Sequence, residues 1–172
     1  MRITCFLLVA VFAIALSSSI PLYAGDNFAE AASDSIAPFL LIGELTLALD
    51  HEKGKAEAVQ GAKTLAVTCA ATQLLKLTVR ERRPGSDSRT SFPSGHTSAA
   101  FAMATVLGDY KPKCKLLAYG VAATIGWSRV KVDAHHWWDV VAGAGLGYAI
   151  GKHYTGQTIM AGPDGVSVNW KF

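Results

Sequence analysis

The pattern of apolar and polar positions predicts a chain built mainly of helices. Long apolar segments are separated by short polar or charged breaks, and Ser94 stands where the N-cap of a helix belongs. The expected fold is all-α, a compact bundle of about five helices. The predicted helices cover residues 35–49, 56–80, 94–108, 115–128 and 135–153.

The C-terminal residues follow a different pattern. In residues 158–172, turn-forming residues are followed by alternating apolar and polar positions. Such alternation is typical of a strand or hairpin after a turn. We therefore expect a short C-terminal strand or loop tail.

The lengths of the central apolar segments leave two environments open. Each central helix carries about twelve consecutive uncharged residues, which reach roughly 18 Å, whereas a bilayer core needs roughly 30 Å. Length therefore favours buried helices, while apolar residues on most helix faces favour a membrane. In either setting, Gly143, Gly147 and Gly151 repeat every four residues, so another helix is expected to approach that face closely.

The first residues have the pattern of a targeting signal. Arg2 precedes an apolar run, and small residues lead to a plausible cleavage point after Ala24. We interpret residues 1–24 as a signal peptide and residues 25–172 as a single domain; an uncleaved membrane anchor is the alternative. Export predicts a place in the bacterial cell envelope, either in the periplasm or at the periplasm-facing inner membrane. An exported protein can form disulfides, so Cys69 and Cys114 either pair with each other or remain free thiols. The sequence does not decide between these two alternatives.

Composition excludes one class of partner. The chain is 51% hydrophobic and 17% charged, with a formal net charge of +3. This positive excess is weak and scattered, and no nucleic-acid-binding motif is present in the sequence. We therefore expect no nucleic-acid partner.

Three polar clusters interrupt the apolar pattern, in residues 76–84, 91–97 and 128–139. A phosphate ester carries charged oxygens, and arginine, lysine or unpaired backbone N–H groups bind such oxygens well. Ser94 and Gly95 open a predicted helix, so they are expected to offer a hydroxyl and N–H groups to an anion. The clusters thus favour a phosphoryl-binding site.

A candidate for nucleophilic catalysis lies in the last cluster. His135 and Asp139 are four residues apart, which puts them on one face of a helix. The carboxylate then accepts from one ring nitrogen and leaves the other nitrogen free to attack. His96, at the start of another predicted helix, is the candidate for protonating the leaving oxygen.

In chain order the clusters read Lys-x6-Arg-Pro, Pro-Ser-Gly-His and Ser-Arg-x5-His-x3-Asp. This order resembles the type 2 phosphatidic-acid phosphatase superfamily, which also contains bacterial class A acid phosphatases and vanadium haloperoxidases. The resemblance implies a helical bundle with the active site at helix ends and no metal. The resemblance implies that phosphate is bound by Lys76, Arg83 and Arg129, with help from Ser94 and Gly95. It implies that His96 is the general acid. It also implies that His135 is the nucleophile, which forms a phosphohistidine, and that Asp139 orients His135.

Two nearby alternatives concern the same cluster. His136 adjoins the proposed nucleophile, but it is three residues from Asp139 where the family spacing is four, so we assign the nucleophile to His135. Asp133 adds a further carboxylate, yet the cluster does not complete a zinc ligand set with a usual spacing. We therefore expect no metal.

The resemblance implies a phosphatase whose substrate is a phosphorylated lipid or a small phosphate ester. Residues 91–102 and 139–147 look most like the membrane-bound lipid-phosphatase branch, so lipid phosphates and membrane association are favoured. That branch commonly has six full-length spans, whereas the apolar segments here are fewer and shorter. The alternatives are a soluble periplasmic acid phosphatase, a vanadate-dependent haloperoxidase, and a catalytically silent envelope protein that binds lipid phosphates.

Overall fold

The computed structural model describes residues 25–49, 53–162 and 165–170, with the side chains described from residue 28 to residue 156. The predicted signal peptide, residues 1–24, lies outside the described residues and stays a prediction. The assignment of residues 25–172 to a single domain also stays a prediction.

The described part of the chain contains six α-helices, one short 3-10 helix and one hairpin. The bounds are α1 Gly25–Asp34, α2 Ile36–Ala48, α3 Gly54–Val79, α4 Gly95–Tyr110, the 3-10 helix Pro112–Cys114, α5 Lys115–Lys131, α6 Trp137–Thr155, β1 Gln157–Gly162 and β2 Gly165–Trp170. The strands pair antiparallel, with Gln157 opposite Trp170. The all-α bundle is confirmed, and the expected tail is a hairpin. Helix α1 was not predicted, because its polar residues interrupt the apolar pattern.

Helix α4 is the centre of the bundle and packs against α2, α3, α5 and α6. Eleven of its residues are buried, and most of them are small, so the neighbouring helices approach closely. The apolar core consists of Phe39, Leu47, Ala100, Met103, Ala104, Val106, Leu107, Ala118, Val121, Ala122 and Ile125.

The glycine face of α6 lies directly against α4. A Cβ atom on Gly143 would be 2.7 Å from the carbonyl oxygen of Ser94, and a Cβ atom on Gly147 would overlap the carbonyl oxygen of Ser98. Side chains at these positions would force the two helices apart. The predicted close approach is confirmed, and it brings the N-terminus of α6 beside the N-terminus of α4.

Helix α3 has its polar face inside and much of its apolar surface outside. Its buried polar residues recur mostly every four positions: Glu57, Gln60, Thr64, Thr68, Thr72 and Lys76. Its exposed large apolar residues are Val59, Val67, Leu74, Leu77 and Val79. A surface helix in water normally has the opposite arrangement.

The buried threonines of α3 have hydrogen-bond partners. Thr64 and Thr68 each donate to the carbonyl oxygen four residues earlier, over 2.7 Å. The hydroxyl of Thr72 lies 2.8 Å from that of Ser98 on α4. The polar face is therefore compatible with burial.

No individual helix in the described residues has the length and apolar content to span a membrane. Two consecutive helices, Phe28–Asp34 and Ile36–Ala48, have the necessary length and apolar content only when they are taken together, and they meet at an angle of 43°.

The two cysteines retained after the predicted cleavage do not form a disulfide with each other. Cys69 is an exposed free thiol on α3, and Cys114 is buried just before α5. The alternative of a Cys69–Cys114 disulfide is therefore wrong, and the free-thiol alternative is confirmed for Cys69 alone.

Candidate active site

The three polar clusters meet at one end of the bundle. Lys76 lies in the last turn of α3 and Arg129 in the last turn of α5. Ser94 caps the N-terminus of α4, and Asp139 lies in the first turn of α6. The helix ends thus bring together residues that are far apart in the sequence.

The loop between α3 and α4 is fixed by backbone hydrogen bonds. Arg80 ends α3 with a left-handed φ of 53°, and Ser91 donates its N–H to the carbonyl of Glu81 over 3.0 Å. Gly85 donates to the carbonyl of Asp133 over 3.0 Å, and a Cβ atom on Gly85 would lie 2.9 Å from that oxygen. The loop is therefore tied to the connection between α5 and α6.

The carboxylate of Asp139 collects several contacts. Its Oδ2 accepts from Ser91 Oγ over 2.5 Å and from the backbone N–H of His136 over 2.8 Å. Burial favours the neutral carboxyl, but the hydrogen bonds from Ser91 and His136 outweigh it and hold the pKa of Asp139 below its usual range. Asp139 is therefore charged at neutral pH.

His135 lies beside this carboxylate but not on the helix. Helix α6 begins at Trp137, later than predicted, because His136 is its N-cap and Asp139 turns back to accept from the N-cap backbone. The backbone N–H of His135 donates to the carbonyl of Arg129 over 3.1 Å. Its Nδ1 is 3.5 Å from both Asp139 Oδ2 and Ser91 Oγ. The predicted proximity of His135 and Asp139 is present, although it comes from helix capping and not from a shared helix face.

Both candidate catalytic histidines are neutral at pH 7. Burial, followed by the charges of Lys76, Arg83 and Arg129, lowers the pKa of His135 to about 4. Burial and the same three cations also lower the pKa of His96 to about 4. Because these cations act on both rings, the two histidines lie in one strongly cationic environment.

The cations have donors left for a ligand. Lys76 Nζ donates to the carbonyl oxygens of Thr90, over 2.5 Å, and Ser91, over 3.2 Å. Burial, together with the charges of Arg83 and Arg129, lowers the pKa of Lys76 to about 8. Among the described residues, the buried Nε atoms of Arg83 and Arg129 have no hydrogen-bond partner. Buried guanidinium donors without partners are costly, and an anion would satisfy them.

Ser94 and Gly95 are placed differently from each other. Ser94 is fully buried, its hydroxyl accepts from the N–H and the hydroxyl of Thr97, and its own N–H donates to the carbonyl of Asp139. The expected Ser94 N–H donor is thus already occupied. A Cβ atom on Gly95 would be 4.0 Å from Lys76 Cε, so the Gly95 backbone lies near the lysine.

His136 has surroundings different from those of His135. Its ring stacks on Trp138 with centroids 4.4 Å apart, and its Nδ1 lies 3.4 Å from Asp139 Oδ2 and 3.7 Å from Glu81 Oε1. Trp138 Nε1 also donates to Glu81 Oε1 over 2.6 Å. His136 therefore belongs to a group with Glu81 and Trp138 at the edge of the site.

Three residues at the site were missed from the sequence. Ser91 stands in a motif, but its position gave no sign of a bond to Asp139. Glu81 looked like one charge in a basic run, and Ser33, which accepts from Arg129, is 96 residues from that arginine. Only the fold reveals these contacts.

Comparison with known families agrees with this arrangement. The PAP2 superfamily model matches residues 3–161. The chain belongs to the PAP2 superfamily. The family resemblance drawn from the three motifs is thereby confirmed, and membership supports the expected phosphoric ester hydrolase.

One curated relative is similar over a segment of the chain. The lipid A 1-phosphatase of Porphyromonas gingivalis is 37% identical over 90 residues, which cover 48% of this chain and 20% of the relative. The match thus spans about a fifth of that protein's length.

Two solved structures match the chain. The crystal structure of Aquifex aeolicus LpxE matches with a TM-score of 0.59 and 23% identity, over 85% of this chain and 93% of that chain. A transmembrane PAP2-type phosphatidylglycerolphosphate phosphatase from Bacillus subtilis matches with a TM-score of 0.44 and 19% identity, over 89% and 94% of the two chains. The first of these supports the all-α PAP2 fold.

Proposed function

We propose that the protein is a metal-independent phosphatase that hydrolyses phosphate monoesters or diphosphates of lipids in the bacterial cell envelope. One observation carries the proposal: Lys76, Arg83 and Arg129 surround two histidines that are neutral at pH 7. The cations suit a phosphoryl group, and a neutral imidazole suits nucleophilic attack.

The phosphoryl group binds first. The guanidinium groups of Arg83 and Arg129 donate through their unpaired Nε atoms, and Lys76 adds a charge from the end of α3. The backbone at Gly95 adds the positive end of the α4 dipole. Ser94 mainly holds the N-terminus of α4 in position.

The first chemical step transfers the phosphoryl group to His135. The lone pair of its Nε2 attacks phosphorus, the bond from phosphorus to the leaving oxygen breaks, and His96 donates a proton to that oxygen. Asp139 accepts from Nδ1 of His135, which fixes the ring and stabilises the charge that develops on it.

The second step releases phosphate. A water molecule attacks phosphorus, the bond from phosphorus to Nε2 breaks, and His96 takes the proton that the water loses. Both histidines then return to their starting states.

Substrate binding brings His96 into its acid form. In the free site its pKa of about 4 leaves it neutral at pH 7, because burial and three cations oppose protonation. A bound phosphate offsets those cations and raises the pKa of His96. The acid is therefore charged when a phosphoryl group is present.

The lipid assignment has two supports. One relative is a lipid A 1-phosphatase by name. Large apolar residues are also exposed near the site: Leu77 is 73% exposed at the end of α3, and Trp137 and Trp138 are each 56% exposed at the start of α6. Such residues suit contact with acyl chains or a membrane interface.

The direct test measures phosphate release from phosphatidic acid and from p-nitrophenyl phosphate, with and without a chelator. Chelator-resistant release that favours the lipid, and that is lost in His135→Ala and His96→Ala with the fold retained, is the expected result. Preference for the small ester would instead indicate a soluble acid phosphatase. Full activity of His135→Ala would contradict the mechanism, and a complete lack of turnover would favour a silent binding protein.

A further inference from the structure

At the edge of the proposed active site, one imidazole and two carboxylates converge. Each of His136, Glu81 and Asp139 offers a ligand atom, and these atoms all lie within 4.8 Å of one another. They come from three places in the fold: the N-cap of α6, the loop after α3, and the first turn of α6. The proposed catalysis uses only Asp139.

Two buried atoms of this group lack partners. Among the described residues, His136 Nδ1 and Asp139 Oδ1 are inaccessible to solvent and make no hydrogen bond. The Asp139 side chain is entirely buried. Leaving a buried polar atom without a partner is unfavourable, so a ligand that binds His136 Nδ1 would be stabilised here.

The spacing and chemistry suit Zn²⁺. Tetrahedral zinc with bonds of about 2.0–2.1 Å to nitrogen and oxygen separates its ligand atoms by about 3.3 Å. His136 Nδ1 lies 3.4 Å from Asp139 Oδ2 and 3.7 Å from Glu81 Oε1. Both separations from His136 Nδ1 are therefore close to that of tetrahedral zinc, and all three ligand atoms lie within 4.8 Å of one another. Three protein ligands would leave one position for water.

Trp138 holds two of the three ligands in position. Its Nε1 donates to Glu81 Oε1 over 2.6 Å, and its ring stacks on His136 with an interplanar angle of 7°. Neighbours that orient ligands in this way are a regular part of metal sites. The arrangement is thus organised before any ion binds.

We propose that Glu81, His136 and Asp139 bind a Zn²⁺ ion that inhibits the enzyme. A dication on Asp139 offsets the negative charge that holds and stabilises His135, so nucleophilic attack slows. The inhibitory role rests on the proposed function, whereas zinc binding itself does not.

Binding is tested by titrating the full chain with zinc chloride in a calorimeter. Glu81→Gln keeps an oxygen for Trp138 but removes the charged ligand, and His136→Ala keeps the backbone N–H that Asp139 accepts from. Each variant is expected to bind zinc about tenfold more weakly or worse. His153→Ala, which removes an exposed histidine on α6, serves as the control and should bind as the wild type does.

Equal zinc affinity in the wild type and both variants, or no zinc binding by the wild type, would overturn the site. Inhibition is measured separately as zinc-dependent loss of p-nitrophenyl phosphate hydrolysis that EDTA reverses. Zinc that binds to an active enzyme without slowing it would overturn the inhibitory role alone. If the chain hydrolyses no phosphate ester, the proposed function and the inhibitory role fail together, while calorimetry still decides the site.

Discussion

Replacing Ser91 with alanine tests whether the loop before α4 holds the carboxylate of Asp139. The hydroxyl is fully buried and donates to Asp139 Oδ2 over 2.5 Å. A hydrogen bond to a charged group contributes about 1.5–3 kcal/mol. We expect the free energy of unfolding to fall by about that amount at neutral pH. We also expect kcat to fall by about 10- to 100-fold, because the same bond steadies the partner of His135.

The pH dependence gives the experiment a second readout. A carboxyl whose pKa is lowered in the folded state stabilises the protein above its unfolded pKa, and this stability is lost as the pH falls through the folded pKa. Removing the Ser91 hydroxyl raises the pKa of Asp139, since that bond is a main cause of its lowering. As the pH is lowered, the free energy of unfolding should therefore begin to fall at a higher pH in Ser91→Ala than in the wild type.

The assay combines urea unfolding at several pH values with steady-state hydrolysis of p-nitrophenyl phosphate. Ser88→Ala is the matched control, because Ser88 is an exposed serine in the same loop. Its stability and kcat should stay near those of the wild type. An unfolding free energy and a kcat in Ser91→Ala that both equal those of Ser88→Ala would refute the positioning role.

Two further predictions concern charge and packing. Arg83→Gln removes a cation that lowers the pKa of His135, so the acid limb of the kcat/KM profile should move to higher pH; an unmoved limb would contradict the assignment. Gly147→Ala places a Cβ atom against the carbonyl of Ser98 and should lower the free energy of unfolding by about 1–3 kcal/mol or more. Gly145→Ala, on the same helix with nothing within 4 Å, should be neutral or stabilising by up to about 1 kcal/mol. Thermal unfolding measures the stability of both variants. Equal changes in stability in Gly147→Ala and Gly145→Ala would contradict the packing argument.

The meeting of the three clusters could be predicted because each cluster lies at the end of a predicted helix, and the order of the motifs resembles a family whose site lies at helix ends. It also predicted the glycine face of α6, since a repeat of four residues marks one side of a helix. The start of α6 was placed too early, at His135. The pattern of apolar residues does not reveal that His136 caps the helix while Asp139 turns back toward it.

Other features depend on tertiary contacts that no local pattern encodes. The spacing of the polar residues along α3 is visible in the sequence, but whether this face points inward depends on its neighbours. In the same way, Glu81 reads as part of a charged run until the fold brings Trp138 and His136 to it. Local rules assigned the elements apart from α1, and only packing determined which polar faces meet.

The contact between α4 and α6 has a consequence for how this enzyme can diversify. The proposed acid, His96, is carried by α4, and the proposed nucleophile, His135, directly precedes α6. Main-chain atoms of the two helices touch where glycine leaves no side chain between them. The backbone packing of α4 against α6 therefore sets the separation between His96 and His135. Substrate range can then change through the exposed apolar residues around the site while the reacting groups keep their spacing.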